Sequence, residues 1–118
     1  MRILLIEDDE YIIRALMARF SLKKGWKVSF AFNGIDALDR MKRKEHDLVL
    51  LDIILPGMNG LDVLHEARKE GVETDVFVVT NLSGIEHKAK ANILGVKEYF
   101  EKASLDLKDL IHKMEAYA

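Results

Sequence analysis

The chain has 118 residues, of which 49% are apolar and 32% charged, with 18 Lys+Arg against 20 Asp+Glu for a net charge of −2. That length supports one hydrophobic core, the apolar fraction excludes a disordered segment, and the near-balance of charge argues against direct nucleic-acid binding. With no cysteine, disulfides, thiolate metal sites, iron–sulfur clusters and thiol nucleophiles are excluded.

In chain order, short β-type runs alternate with longer amphipathic segments. The first run, Arg2–Glu7, is continuously apolar over Ile3–Ile6, far too short to span a membrane and followed at once by acids rather than by a signal-peptide pattern. A helix pattern over Glu10–Lys24 follows. It carries two apolar stripes: Ile13, Leu16, Met17 and Phe20 at helical spacing, and Tyr11, Ala15, Ala18 and Leu22 on nearly the opposite side. The second run, Lys27–Phe32, alternates Val28, Phe30 and Phe32 with Lys27, Ser29 and Ala31 and reads as a half-buried strand near a sheet edge. A helix over Gly34–Lys44 leads to the run Asp47–Asp52, apolar over Leu48–Leu51. Then come a helix over Gly60–Glu70, the run Asp75–Thr80, a helix over Gly84–Leu94, the run Val96–Glu101 and a last helix over Leu105–Ala116. Gly25, Gly71 and Gly95 stand where helix ends need a positive φ, and Asn33, Asn59 and Ser104 where a side chain can cap a helix start.

Five β–α units of this kind predict an α/β domain over residues 1–118: a doubly wound five-stranded parallel sheet covered by helices on both faces. Ligands of such sheets bind outside the carboxyl ends of the strands. There the chain places Glu7-Asp8-Asp9, Asp52, Thr80-Asn81 and Lys102. Converging carboxylates repel unless a cation joins them, and oxygen-only ligands suit Mg²⁺. A flavin or nucleotide site would instead want a phosphate-cradling loop after the first strand, where this chain has acids. Any one of these acids alone reads as an ordinary helix cap; their joint placement on one rim is the signal.

These residues resemble the response-regulator receiver domain of two-component phosphorelays. The resemblance covers Arg2 to about Tyr117 and rests on Glu7-Asp8-Asp9, the Asp52-x-x-x-Pro56-x-x-x-Gly60 frame, Val78-Val79-Thr80 and Tyr99-Phe100-Glu101-Lys102. It implies the flavodoxin-like (βα)5 fold with strand order 2-1-3-4-5 and a cytoplasmic signalling domain away from membranes. Its implied donor partner is a sensor histidine kinase or histidine phosphotransfer protein. Residue by residue, it implies Asp52 as the phosphoryl acceptor, Asp9 and Asp8 as Mg²⁺ ligands together with Asp52 and the carbonyl of Ile54, and Lys102 and Thr80 as partners of phosphoryl oxygens. Tyr99 matches the aromatic switch that follows Thr80. Such a domain catalyses only its own aspartyl phosphorylation and dephosphorylation. Kinase docking through the start of the first helix implies Tyr11, Ile12, Ile13 and Leu16.

The chain departs from the family at three places. Ala103 follows the lysine where the family usually has a proline, typically after a cis bond, which before alanine costs about 2.5–4 kcal/mol. Asn81 follows Thr80 in place of a small residue. Ile54 and Leu82, two residues beyond Asp52 and Thr80, cannot position an attacking water, so a long-lived phosphoryl group is expected. Two rival readings are a receiver-like scaffold that is never phosphorylated and a small phosphatase with an aspartyl-phosphate intermediate; Ile54, standing where the latter wants a second acid, weighs against it. The mixed charges Glu86, Lys88, Lys90, Lys97, Glu98, Asp106, Lys108 and Asp109 read either as a solvated face or as an output surface. His46, His65, His87 and His112 lack metal spacing and read as surface residues.

Overall fold

The apolar runs become strands because only a layer covered on both sides can bury them. In the computed structural model, which describes all 118 residues, β1 (Arg2–Ile6), β2 (Lys27–Ala31), β3 (Leu48–Leu51), β4 (Asp75–Thr80) and β5 (Glu98–Glu101) form one parallel sheet in the order β2-β1-β3-β4-β5. The strand order is the one implied by the resemblance. Helices α1 (Glu10–Phe20), α2 (Gly34–Lys42), α3 (Gly60–Lys69), α4 (Ile85–Ile93) and α5 (Leu107–Glu115) make the crossovers.

Alternate residues of the central strands feed two cores. Leu4, Ile6, Val49 and Leu51 pack with Ala37, Met41, Val63 and Leu64 of α2 and α3. Ile3, Leu5, Leu48 and Leu50 pack with Leu16 and Phe20 of α1 and Leu110 and Met114 of α5. A smaller cluster of Ile53, Leu61, Val78 and Ala91 lies under α4, with Leu82 and Tyr99 packed against it.

Several local expectations shift. Helix α1 stops at Phe20 rather than Lys24, because past Phe20 the core-facing positions are lysines with nothing to bury. Gly25, at φ 83°, then serves the turn into β2 rather than the helix end, whereas Gly71 and Gly95 directly follow Glu70 and Leu94, the C-caps of α3 and α4, with φ near 80°. In β2 the inward residue at the strand end is Ala31, and Phe32, expected on the packed side, lies outside the strand and exposed. Asn33 and Asn59 cap α2 and α3 as expected, but Asp106, not Ser104, caps α5 by accepting the N–H groups of Lys108 and Asp109. Ser104 belongs instead to a short 3₁₀ turn, Lys102–Ser104. No peptide bond is cis, so the Lys102–Ala103 bond is trans.

Candidate functional site

Strand register decides which acids meet. Ile6 of β1 pairs with Leu51 of β3, so the next residue on each strand, Glu7 and Asp52, stand side by side at the carboxyl edge. Both remain in the ladder: Glu7 N–H donates to the Ala31 carbonyl at 3.1 Å and Asp52 N–H to the Ile6 carbonyl at 3.0 Å. Both side chains are buried, at 2% and 4% exposure.

Between them lies Lys102, delivered by the end of β5. Its ammonium sits 2.7 Å from Glu7 Oε1 and 2.8 Å from Asp52 Oδ2, with 6% of its side chain exposed. The remaining oxygens are also engaged. Glu7 Oε2 accepts the N–H groups of Asp8 and Asp9, each at 3.1 Å, and Asp52 Oδ1 accepts Ile54 N–H at 3.1 Å. Buried charges survive only when paired and hydrogen-bonded in this way.

The pairing leaves a charge mismatch of two carboxylates against one ammonium. Burial first, and then the neighbouring Asp52 charge, push the Glu7 carboxyl up to about 7 from an ordinary 4.5, against the pull of Lys102 and the Asp9 N–H. Burial works against the Lys102 ammonium, yet its hydrogen bonds to Asp52 and Glu7 prevail and its pKa stands above the ordinary lysine value. A further cation would relieve the excess negative charge. Carboxylate oxygens of Glu7, Asp8 and Asp52 come within 4.8 Å of one another and could hold a metal ion. An all-oxygen donor set of this kind fits a hard divalent cation such as Mg²⁺.

Asp9, implied as a metal ligand, does not join this cluster. It caps α1, its Oδ1 accepting Tyr11 N–H at 2.9 Å, and it lines the same cleft as Asp8, Asp52, Ile54, Asn81 and Lys102. The missed residue is Glu7, and a signal for it existed: the residue level with Asp52 on the neighbouring strand is the one directly after the apolar run, while an Asp just before a helix is first a cap.

The frame around Asp52 has a steric cause. A Cβ on Gly60 would collide with the Asp52 carbonyl oxygen, so only glycine lets α3 begin against the strand end, with Gly60 N–H donating to the Ile53 carbonyl at 2.8 Å. Pro56 meanwhile offers its carbonyl to Gly34 N–H at 3.1 Å, which ties the loop after Asp52 to the start of α2.

Thr80 ends β4 fully buried. Its Oγ1 accepts Leu82 N–H at 3.4 Å, and the Leu82 carbonyl accepts the Tyr99 hydroxyl at 2.7 Å. Leu82 therefore touches both residues expected to act as a switch. Burial, then the charges of Glu101 and Asp52, raise the Tyr99 phenol above its ordinary pKa.

Among the docking candidates, Tyr11 is 83% exposed, Ile12 and Ile13 are half-buried against the core, and Leu16 is a core residue with 1% exposure. Leu16 therefore cannot meet a partner. His65 and His112 are exposed as expected, whereas His46 and His87 are half-buried, and burial lowers the His46 pKa.

The family description "Response regulator receiver domain" matches residues 3–115. The chain is 39% identical over 102 residues to the transcriptional regulatory protein DltR of Streptococcus agalactiae, covering 86% of this chain and 45% of that one. It is 33% identical over 114 residues to the uncharacterized transcriptional regulatory protein YkoG of Bacillus subtilis, covering 97% and 49%. It thus spans about half the length of these relatives. The CheY-like receiver domain protein of Methanospirillum hungatei superposes with a TM-score of 0.86 at 26% identity, over 98% of this chain and 90% of that one. No helix is long and apolar enough to cross a membrane.

Proposed function

We infer the chemistry from one premise: the chain belongs to the response-regulator receiver domains of two-component systems, signalling domains rather than conventional enzymes. Asp52 is the phosphoryl acceptor in this reading. One of its carboxylate oxygens bonds to the phosphorus of a phosphohistidine while the phosphorus–nitrogen bond breaks, and the bonding pair leaves with the imidazole. The observation that carries the reading is the Lys102 ammonium held between two buried carboxylates at the carboxyl edge of the sheet.

Glu7, Asp8, Asp52 and the Ile54 carbonyl would hold Mg²⁺, with Glu7 rather than Asp9 completing the acid set. When bound, the ion neutralises charge on the transferring phosphoryl group. Lys102 then turns from Asp52 to a phosphoryl oxygen and Thr80 donates its hydroxyl to another. Because the Thr80 hydroxyl is also the acceptor of Leu82 N–H, its movement reaches Tyr99 through the Leu82 carbonyl. That is the local change an effector reads.

The donor is a cytoplasmic sensor histidine kinase or histidine phosphotransfer protein, which meets the rim and the exposed Tyr11. The output partner is an effector that distinguishes the two states of Tyr99 and α4. Ile54 and Leu82 offer no polar group to orient water, so the phosphoryl group outlasts the seconds scale.

Intact mass after incubation with acetyl phosphate tests this directly. A Mg²⁺-dependent gain of one phosphoryl group, abolished by Asp52→Asn, is expected. No gain from either acetyl phosphate or a phosphorylated histidine donor, with Mg²⁺ present, would overturn the reading.

A further inference from the structure

The sheet ends in β2 on one side and β5 on the other, and the two edges are finished differently. The β5 edge carries a charge at each end: Glu98 pairs with Lys113 at 2.8 Å and Glu101 with Lys88 at 3.0 Å. Charged residues of this kind keep a sheet edge from pairing with another chain. The β2 edge has a single charge, Lys27 at its first position, followed by Val28, Ser29, Phe30 and Ala31. Neither a proline nor a break in register blunts it.

The backbone of β2 is only half engaged. Lys27 N–H donates to the Met1 carbonyl at 2.9 Å, and the Ala31 carbonyl accepts Glu7 N–H at 3.1 Å. Odd-numbered residues therefore turn their amide groups toward β1, and alternation along the strand turns those of Val28 and Phe30 to the open side. The side chains form a column at a spacing of two. Trp26, Val28 and Phe30 pack half-buried against the core beside α1, and Phe32, 53% exposed, stacks on Phe30 with ring centroids 6.1 Å apart.

This edge matches its own reverse. A two-fold axis at Ser29 sets a second β2 antiparallel to the first. Val28 then lies opposite Phe30 of the other copy and exchanges both backbone hydrogen bonds with it, and the symmetry repeats the pair. One step outward, Trp26 lies opposite Phe32 and covers the ring that the single chain leaves exposed. Aromatic–aromatic and aromatic–β-branched pairs are the favourable cross-strand kinds. Lys27 falls opposite Ala31, so no like charges face each other. Charge also favours the reversal: the exposed Lys24 and Lys27 at the amino end of one strand come beside the carboxyl end of the other, where α2 opens with the exposed Asp36.

We propose that β2 is a self-pairing edge, through which two copies of this chain join antiparallel across Ser29 into one continuous sheet. A five-residue strand buries less surface than the interfaces that hold tight dimers. The association is therefore weak and is read at high concentration.

Sedimentation equilibrium of the unphosphorylated chain, from micromolar to millimolar, measures the pairing, and amide exchange at each residue locates it. The Val28 and Phe30 amides should gain protection as concentration rises, whereas those of Ser29 and Ala31, bonded to β1 in either state, should not. Phe32→Asp is expected to weaken self-association about tenfold, because it removes the Trp26–Phe32 pair twice by symmetry. The chain has no cysteine, so Ser29→Cys, a change of similar size, should link two copies through a disulfide under mild oxidation. Directly opposite, non-hydrogen-bonded residues of antiparallel strands stand within disulfide reach. Lys27→Cys, more exposed but placed opposite Ala31, should not link. A chain monomeric at millimolar concentration overturns the proposal and leaves the edge to an extended segment of another protein. Self-association without added protection at Val28 and Phe30 overturns it too, as does Lys27→Cys linking as readily as Ser29→Cys.

Discussion

The central strands and the β5–α4 edge are packed in contrasting ways. Every residue of β3 is buried, as are Ile3–Ile6 of β1, while all four residues of β5 are only half-buried. Helix α3 buries Gly60, Leu61, Val63, Leu64 and Ala67, and α4 only Ala91. The two regions supply opposite halves of the site. Glu7, Asp52 and Thr80 come from strands locked in close-packed layers, and Lys102 comes from the loosely held edge. Segments with few buried apolar contacts open at lower free energy than the core. The acids thus stand on the close-packed part of the sheet, while Lys102, Tyr99 and α4 belong to its less densely packed edge.

The largest expected effects test the contrast itself. Leu50→Ala removes a fully buried side chain from β3 and should cost about 3 kcal/mol, within the usual range for such cavities. Ile93→Ala on α4 should change stability by less than about 0.5 kcal/mol. Urea unfolding measures both. Comparable losses would mean that α4 is integrated into the core, and the contrast would be void.

Lys102→Met tests whether the acids need their cation. It leaves Glu7 and Asp52 buried beside each other without compensation, and removing one partner of such a group costs about 3 kcal/mol. A divalent ion bound by the carboxylates should return much of that loss. Thermal unfolding with and without Mg²⁺ distinguishes this from a plain packing defect, which the ion would not repair.

The pH dependence of Glu7 has the opposite sign to that of an ordinary paired carboxylate. Its folded pKa is raised from 4.5 to about 7, so between those values the folded chain binds more protons than the unfolded one. Stability from this group is present in full at the acid end and is lost as pH rises through about 7, on the order of 3 kcal/mol over the window. Relative to Glu7→Gln, the wild type should lose stability from about pH 5 to pH 8. Adding Mg²⁺, which competes with the proton for the same carboxylate, should flatten the difference. A wild type that gains stability on Glu7→Gln over that range would reverse the sign and point to a Glu7 held ionised.

The same contrast explains what the sequence revealed. The central strands were legible because continuous apolar runs have few alternatives to burial, and Asp52, Thr80 and Lys102 followed from standing at strand ends. Glu7 was obscured because an acid run read along the chain does not say which member enters the sheet; only the pairing of Ile6 with Leu51 does. Asp9 is ambiguous in the sequence because a cap and a metal ligand are the same residue type in the same place, and the structure shows it as the cap. Leu16 lies in the core stripe with Phe20, as its helical spacing already indicates, and not with the exposed Tyr11. At the edge, α5 starts at Leu107 rather than Leu105 because Asp106, not Ser104, accepts the free N–H groups, and the sequence offers both residue types as caps.

The smallest effect concerns the link between the two regions. Tyr99→Phe deletes the hydroxyl that donates to the Leu82 carbonyl at 2.7 Å but keeps the ring in its cluster with Val78 and Ala91. One hydrogen bond of this kind is worth about 1 kcal/mol, so global stability should fall by no more than that. Its local consequence is more telling. If Leu82 couples Thr80 to the edge, amide exchange should accelerate in the loop from Asn81 to Gly84 and in α4, while β1 and β3 keep their protection to within the global change. Uniform acceleration across the sheet would show that Tyr99 serves the core as a whole. Unchanged exchange in α4 would leave Thr80 and Tyr99 uncoupled, and the edge would then need another route to sense the acids.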